Sequence, residues 1–350
     1  MGGSIHLLLP IALPKPAIAQ LIADQSLGNQ SSQVHQLETV DTISGGRRSG
    51  SALFHSFLDF NVSPGRSVYF QDPGVSHIFT RVTGNRPSSI QGTLGVLGNA
   101  NLVLLNPNGI LFDSTARLDI PGSFTATTAA EVKFLQGGSF SAIAPQAPPL
   151  LTLSVPIGLQ LGSPASGRTI INRGWLTVGQ DLTLNSDRLD LQGTLTAGRD
   201  LTLQATDTLQ IRDTPTQPFL ALAHRNLELQ GDRSIDILAL QHPQTSALQS
   251  GGLLTLISDG VISGDARFSS QGHLQMRSRS GGLVKFTSLY DPILSTAGDV
   301  DLALDYVGPS LLIEAGGNIR IQGRVDITAP DTTAPLVGED TILNQKPGLI

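Results

Sequence analysis

Pairs of apolar residues, two positions apart, recur with a period of 19 or 20 residues. The segment "GQDLTL" begins at Gly179 and "GRDLTL" begins at Gly198. A spacing of two places both side chains of a pair on the same face of a short strand. Three pairs make one repeat. Two successive repeats contain the pairs Leu176/Val178, Leu182/Leu184 and Leu189/Leu191, then Leu195/Ala197, Leu201/Leu203 and Leu209/Ile211.

The same spacing returns in the carboxy-terminal half, in Val300/Leu302 and Ile319/Ile321. Between these regions, related units at Leu254/Leu256 and Leu274/Met276 follow at longer intervals, which indicates loop insertions in some repeats. Three short strands in each repeat, all with an inward apolar pair, are typical of one coil of a parallel β-helix. The sequence therefore predicts an all-β solenoid from about Ile22 to Ile327 in which Leu182, Leu184, Leu201 and Leu203 point inward.

Other repeat folds fit this pattern less well. A helical solenoid requires a 3.6-residue period, which this region lacks. The L-x-x-L-x-L frame with its Asn ladder, which defines leucine-rich repeats, is missing. A single coil buries too little apolar surface to offset the entropy of ordering its backbone. Coils must therefore stack, and the first coil should carry a cap.

A sharp turn interrupts two apolar runs in "LVLLNPNGILF", residues 102–112. Asn106 at the first position, Pro107 at the second and Gly109 at the fourth match a type I turn. The turn favours strands on both sides over a helix.

The amino-terminal half resembles the filamentous haemagglutinin amino-terminal domain, the secretion domain of two-partner-secretion exoproteins. The matching segments are "LFHSFLDFNV" (53–62), "RVTGNRPSSIQGTLGVLGNANLVLLNPNGILF" (81–112) and "GSFTATTA" (122–129). Residues 235–278 and 281–300 resemble the continuation found in cyanobacterial members. One departure is clear: many members carry a second motif, Asn-Pro-Asn-Leu, where this chain has Asp72-Pro73-Gly74-Val75.

The resemblance implies a right-handed parallel β-helix that a dedicated outer-membrane β-barrel partner recognises through periplasmic domains and exports. Asn106, Pro107, Asn108, Gly109 and Ile110 carry over as the secretion motif. The resemblance also implies a secreted, extracellular or surface location and a role as an adhesin or surface structural protein, with host, neighbouring-cell or surface glycans as binding partners.

The chain is expected to divide into four segments. Residues 1–19 fit a signal peptide, because "IHLLLPIAL" is apolar and Ala17 and Ala19 precede Gln20 as small residues at a cleavage site. The segment before that run lacks Lys and Arg, and Pro10 interrupts the run, so a disordered apolar amino terminus is the alternative. A true start upstream of Met1 would explain the missing basic residues. The secretion domain is placed at 20–145, continuing β-helix repeats at 146–330 and an irregular tail at 331–350.

The composition and the motifs that are missing exclude several classes of function. The net charge of −6 supplies no basic stripe for nucleic acid. No Cys, Gly-x-Ser-x-Gly elbow, P-loop or His-Glu-x-x-His occurs, and the seven His are scattered, so neither a metal nor another cofactor is expected. Asp181 and Asp200 hold equivalent places in successive coils, about 5 Å apart, which is near the carboxylate separation of a retaining glycosidase. Turn residues bonded to backbone amides explain them better, so the sequence predicts no enzyme, with a polysaccharide-degrading β-helix as the alternative.

Overall fold

The structure, a computed structural model, describes residues 21–134, 138–146, 160–241 and 246–328. The predicted cleavage site at Ala17, Ala19 and Gln20 and the predicted tail at 331–350 lie outside these residues. The described chain consists of β-strands, turns and one turn of 3-10 helix, Gly28–Gln30. None of its helical segments is long and apolar enough to cross a membrane.

The amino-terminal end carries a cap of antiparallel pairings. Its strands are β1 (Leu21–Ala23), β2 (Ser32–Leu37), β3 (Val40–Gly45) and β4 (Arg47–Ser49). Strands β2 and β3 form a hairpin, while β1 and β4 both run antiparallel to the first strand of the β-helix, β5 (Ala52–Phe60). The cap predicted for this end is therefore present, because antiparallel strands cover the first coil.

The body continues as a stack of coils with short strands. Its first part contains β5, β6 (Ser67–Gln71), β7 (His77–Val82), β8 (Ser88–Ile90), β9 (Thr93–Leu97), β10 (Asn101–Leu105), β11 (Ile110–Phe112), β12 (Arg117–Asp119), β13 (Phe124–Thr127), β14 (Glu131–Lys133), β15 (Ser139–Ser141), β16 (Gln160–Leu161), β17 (Thr169–Asn172) and β18 (Trp175–Val178). Its second part contains β19 (Leu182–Leu191), β20 (Thr194–Ala197), β21 (Leu201–Arg212), β22 (Leu220–Ala223), β23 (Leu227–Gly231), β24 (Ser234–Ala239), β25 (Leu248–Ser250), β26 (Leu254–Ile257), β27 (Val261–Ser270), β28 (Leu274–Arg277), β29 (Val284–Thr287), β30 (Ile293–Thr296), β31 (Val300–Gly308), β32 (Leu312–Ala315), β33 (Ile319–Gln322) and β34 (Val325–Ile327).

The coils stack through three parallel ladders. Ladder 1 joins β5, β7, β10, β13, β19, β21, β23, β26, β28, β31 and β33. Ladder 2 joins β8, β11, β17, the second halves of β19 and β21, then β24, β27, β29, β31 and β34. Ladder 3 joins β3, β6, β9, β12, β18, β20, β22, β25, β27, β30 and β32. The predicted fold class, an all-β parallel β-helix, is confirmed.

The first six coils are numbered along the chain. Coil 1 is β5–β6, coil 2 is β7–β9, coil 3 is β10–β12, coil 4 is β13 with β17 and β18, coil 5 is β19–β20, and coil 6 is β21–β22. The predicted inward register is confirmed in coils 5 and 6. Leu182 lies opposite Leu201 and Leu184 opposite Leu203, and all four side chains are fully buried. Ile319 and Ile321 stack on Val300 and Leu302 but remain 49% and 36% exposed, because no described strand lies beyond them.

An antiparallel sheet interrupts coil 4, which the sequence repeat did not predict. Strand β14 pairs with both β15 and β16, and the insertion lies between β13 and β17. It packs on the outer face of ladder 1 and encloses a second apolar core beside the one inside the coils. The residues of this second core are Leu27, Ala52, Phe54, Phe79, Val103, Leu105, Ala129, Val132, Phe134, Phe140 and Ala142.

His55 lies buried where the cap meets coil 1. Its Nδ1 contacts the hydroxyl of Ser32 at 3.0 Å, and its Nε2 has no hydrogen-bond partner among the described residues. The ring packs near Phe57 and Phe70. Burial lowers the pKa of His55 to about 3, so the imidazole is neutral in the folded protein.

This burial predicts that folding stability falls in mild acid. The unfolded chain has an ordinary His pKa of about 6.5, so it is protonated first as the pH falls. The free energy of unfolding therefore keeps its full value above that pH and decreases as the pH falls toward the folded-state pKa of His55. We expect a loss of about 1 kcal/mol by about pH 5.5, and about as much again by about pH 4.5. Urea unfolding at each pH measures it. A His55→Gln variant, which can still pair with Ser32, should lack this component; identical pH dependence in both proteins would contradict the assignment.

Candidate functional site

The turn predicted within the motif Asn106–Ile110 joins β10 to β11. The amide of Gly109 donates to the carbonyl of Asn106 at 3.1 Å, which closes a four-residue turn. Gly109 has φ of +117°, and a Cβ added there would lie 3.1 Å from the carbonyl oxygen of Thr169 in coil 4. Glycine is therefore needed at this position both for its backbone angle and for its close contact with the next coil.

Asn106 clamps three coils together. Its side chain is fully buried and donates through Nδ2 to the carbonyl of Arg86 and the hydroxyl of Ser88, both at 3.0 Å in coil 2. Its Oδ1 accepts the backbone amide of Asn108 at 2.9 Å. Its own amide donates to the carbonyl of Thr127 in coil 4 at 3.0 Å. No polar group of this side chain faces solvent, so its role in the folded protein is internal.

Asn108 is the most accessible polar residue of the motif. Its Nδ2 donates to the carbonyl of Gly84 at 2.8 Å and to Oδ1 of Asn106 at 3.2 Å. Pro107, Gly109 and Ile110 are buried, whereas Asn108 is half-buried. A groove of about 460 Å³ passes beside it, lined also by Thr83, Asn85 and Ile143. In the folded protein, Asn108 is therefore the one residue of the motif that is partly exposed to solvent.

The place of the second family motif is taken by an aspartate turn. Oδ1 of Asp72 accepts the amides of Gly74 and Val75, each at 2.9 Å. Its Oδ2 accepts the amides of Asn99 at 3.1 Å and Ala100 at 3.2 Å in the following coil. Asp72 therefore closes its own turn and also bonds to the next one, a structural role that an acceptor side chain suffices to fill.

A buried polar cluster around Arg81 was not foreseen from the sequence. Arg81 is fully buried. Its guanidinium donates to the hydroxyls of Ser56 and Ser26 and to the carbonyls of Ser141 and Gln146, at 2.8 to 3.0 Å. It also lies 4.3 Å above the ring of Phe140. The residue opens the family-like block 81–112, but its partners come from distant parts of the chain, and no local pattern indicates its burial.

Asp24 supplies the opposite charge in this cluster. Its carboxylate accepts the hydroxyls of Ser26 at 2.6 Å, Ser56 at 2.7 Å and Thr83 at 2.5 Å. Burial by itself would raise the pKa of Asp24, but these hydrogen bonds outweigh it and hold the pKa below its usual value. Burial lowers the pKa of Arg81 to about 10, and the charge of Asp24 opposes that decrease. Both groups are therefore charged at neutral pH.

Asp181 and Asp200 occupy equivalent positions, but each is bonded as a structural residue. Asp181 accepts the Nε of Arg199 at 3.0 Å and the backbone amide of Asp200 at 3.2 Å. Asp200 accepts the amide of Asn226 at 3.0 Å and lies 3.4 Å from Arg225. Burial would raise the pKa of Asp181, yet the hydrogen bonds from Arg199 and from the Asp200 amide lower it overall. A general acid requires the opposite shift.

The sequence of this chain is similar to sequences of known proteins. The sequence model of the TPS secretion domain family matches residues 19–275, more than half of the chain. The heme/hemopexin-binding protein of Haemophilus influenzae is 33% identical over 69 residues, which are 19% of this chain and 7% of that protein. The chain thus spans less than a tenth of the length of this curated relative.

Two solved structures are similar to the described chain. The filamentous hemagglutinin secretion domain has 18% sequence identity and a TM-score of 0.45, over 88% of this chain and 99% of that one. The HMW1 secretion domain from Haemophilus influenzae has 16% identity and a TM-score of 0.36, over 87% and 84% of the two chains. The family match over residues 19–275 shows that this chain belongs to the TPS secretion domain family, the secretion domains of two-partner-secretion exoproteins.

Proposed function

We propose that a dedicated outer-membrane β-barrel protein exports this chain, and that Asn106, Pro107, Asn108, Gly109 and Ile110 form part of the signal it reads. The observation that carries the first half is the family match over residues 19–275. The signal peptide, with cleavage after Ala19, brings the chain to the periplasm in this proposal. The secretion domain begins at residue 20 and includes the segment up to 145, and the later coils follow it through the pore.

Burial of the motif in the folded coil limits the stage at which the barrel partner can bind it. In the folded coil the side-chain amide of Asn106 is fully buried and bonded to coil 2, and Pro107 is buried as well. A partner that recognises these side chains must therefore meet them before coil 3 closes on coil 2. The periplasmic recognition domains of the barrel partner bind the extended segment in this proposal, and the turn forms only after release.

Folding outside the cell gives export a direction. Each coil of the solenoid depends on its neighbours, since its inward side chains and its ladder hydrogen bonds are completed by the coils above and below. The capped amino end supplies the first template, and each later coil finds a preformed edge to pair with. A chain that is added coil by coil on the outer side gains stability there and loses the tendency to slide back.

The exported protein acts as an adhesin or surface structural protein in this proposal, with host, neighbouring-cell or surface glycans as its targets. It lies outside the cell or on the outer surface.

Among the described residues, no group of three His, Cys, Asp or Glu is placed to hold a metal. We also propose that it is not an enzyme. The bonding of the two carboxylates supports this, since Asp181 is bonded to Arg199 and Asp200 to the amide of Asn226 within the coils, whereas the alternative, a polysaccharide-degrading enzyme, needs carboxyl groups that are available to a substrate.

Expression of the full chain with and without its barrel partner tests the export proposal. We expect protein in the medium only when the partner is present, and periplasmic accumulation or degradation without it. Equal release in both strains would contradict the proposal. The secreted protein is also incubated with pectin and alginate; cleavage that disappears in both Asp181→Asn and Asp200→Asn would favour the enzyme instead.

A further inference from the structure

We propose that Asn108 is a covalent modification site, a deamidation site that the fold protects and the unfolded chain exposes. Asn108-Gly109 is the single Asn-Gly pair among the 350 residues. Glycine has no Cβ to hinder approach of its amide nitrogen to the preceding side chain. The chain therefore carries its most reactive asparagine inside the turn that joins β10 to β11.

The reaction needs only water. The Gly109 nitrogen gives up its proton and attacks Cγ of Asn108, so that an N–Cγ bond forms, the Cγ–Nδ2 bond breaks and ammonia leaves with a proton. The product is a five-membered succinimide. Water then opens the ring at one of its two carbonyls, which gives either aspartate or isoaspartate.

The folded turn opposes the first step. The attacking nitrogen is engaged, because the Gly109 amide donates to the carbonyl of Asn106 at 3.1 Å. The leaving group is held as well, through the bonds from Nδ2 of Asn108 to the carbonyl of Gly84 and to Oδ1 of Asn106. Gly109 is buried against coil 4, near the carbonyl of Thr169. Attack requires these bonds to break, so folding slows the reaction.

The product does not fit the same turn. An aspartate at position 108 places a carboxylate oxygen against the carbonyl of Gly84 and Oδ1 of Asn106, where the native amide donates. Isoaspartate inserts a methylene group into the main chain of a tight turn. Deamidation in the unfolded state therefore yields chains that rebuild this corner poorly, and it marks chains whose folding has been delayed.

Peptide mass spectrometry of the full chain tests this without any export partner. Identical samples are incubated at mildly alkaline pH with and without urea, and the mass change and the isoaspartate content are followed at each asparagine. In urea we expect Asn108 to react faster than every other asparagine, with Asn106 inert because proline follows it. In buffer we expect the rate at Asn108 to be at least about tenfold lower, since the turn must first open.

A second measurement tests the consequence. Chains aged in urea are refolded, and the melting temperature is compared between unmodified and deamidated fractions. A lower melting temperature is expected for the deamidated fraction. Equal rates in urea and in buffer, or another asparagine reacting faster in urea, would overturn the protected site; equal melting temperatures would overturn its role as a mark of delayed folding.

Discussion

Replacing Leu201 by aspartate should unfold the protein. Leu201 is fully buried and lies between Leu182 and Leu227 in ladder 1. The substitution removes a packed aliphatic side chain and leaves a carboxylate with no buried partner, so we expect a loss of at least about 5 kcal/mol. Urea or thermal unfolding followed by circular dichroism measures the effect.

A matched control separates the inward face from the strand itself. Thr183 lies on the outer face of ladder 1, between Thr125 and Thr202, and is half-buried. Thr183→Asp introduces the same charge into the neighbouring strand, where water can reach it, and should change stability by less than about 1 kcal/mol. Similar losses in both variants would show that the register assigned to these coils is wrong.

Replacing Arg81 by methionine should cost about 3–5 kcal/mol, because it leaves the buried carboxylate of Asp24 without its opposite charge. It also leaves the carbonyls of Ser141 and Gln146 without their donor. Since Asp24 lies in the cap and Ser141 in the inserted sheet, the loss should appear as separation of the cap and the inserted sheet from coils 1 and 2. Chemical denaturation and hydrogen exchange of the cap amides are the measurements.

Two further variants identify the cause. Arg86 has a side chain that is 66% exposed and lies 3.8 Å from Asp59, so Arg86→Met should cost no more than about 1 kcal/mol. Adding Asp24→Asn to Arg81→Met removes the uncompensated charge and should recover part of the lost stability. If Arg81→Met were as mild as Arg86→Met, the cluster would not hold the amino-terminal end together.

The coils could be predicted because apolar residues that face one common core recur at equivalent positions in the sequence. Leu182 and Leu201 occupy the same place in successive coils, and the pairing of their strands follows the 19-residue offset between them. The turn at Asn106 was also predictable, since Pro107 restricts the backbone and Gly109 can adopt the positive φ found there. Both predictions depend on short-range information that the sequence states directly.

The inserted sheet and the Arg81 cluster depend on contacts between residues that are distant in sequence, and local sequence patterns do not predict such contacts. A signal for the sheet was nevertheless present in "NLVLL", where Leu102 and Leu104 face the inner core and Val103 and Leu105 the outer one. A strand that is apolar on both faces indicates cover on both sides. For Arg81 no such signal exists, because its partners at Ser26, Ser56 and Ser141 are set by the fold alone.

The most direct test asks whether the Asn106 turn carries export information beyond its contribution to folding. Asn172 is a second fully buried asparagine, whose Oδ1 accepts the amide of Gly174 at 3.1 Å in coil 4. Asn106→Ala and Asn172→Ala should each cost about 1–3 kcal/mol in the purified protein. Both variants are expressed with the barrel partner, and the fraction of protein in the medium is compared with the measured stability of each. We predict that export of Asn106→Ala falls several-fold below that of Asn172→Ala at comparable stability. Export that follows stability alone, with both variants on one line, would contradict a signalling role and leave Asn106 as a structural clamp.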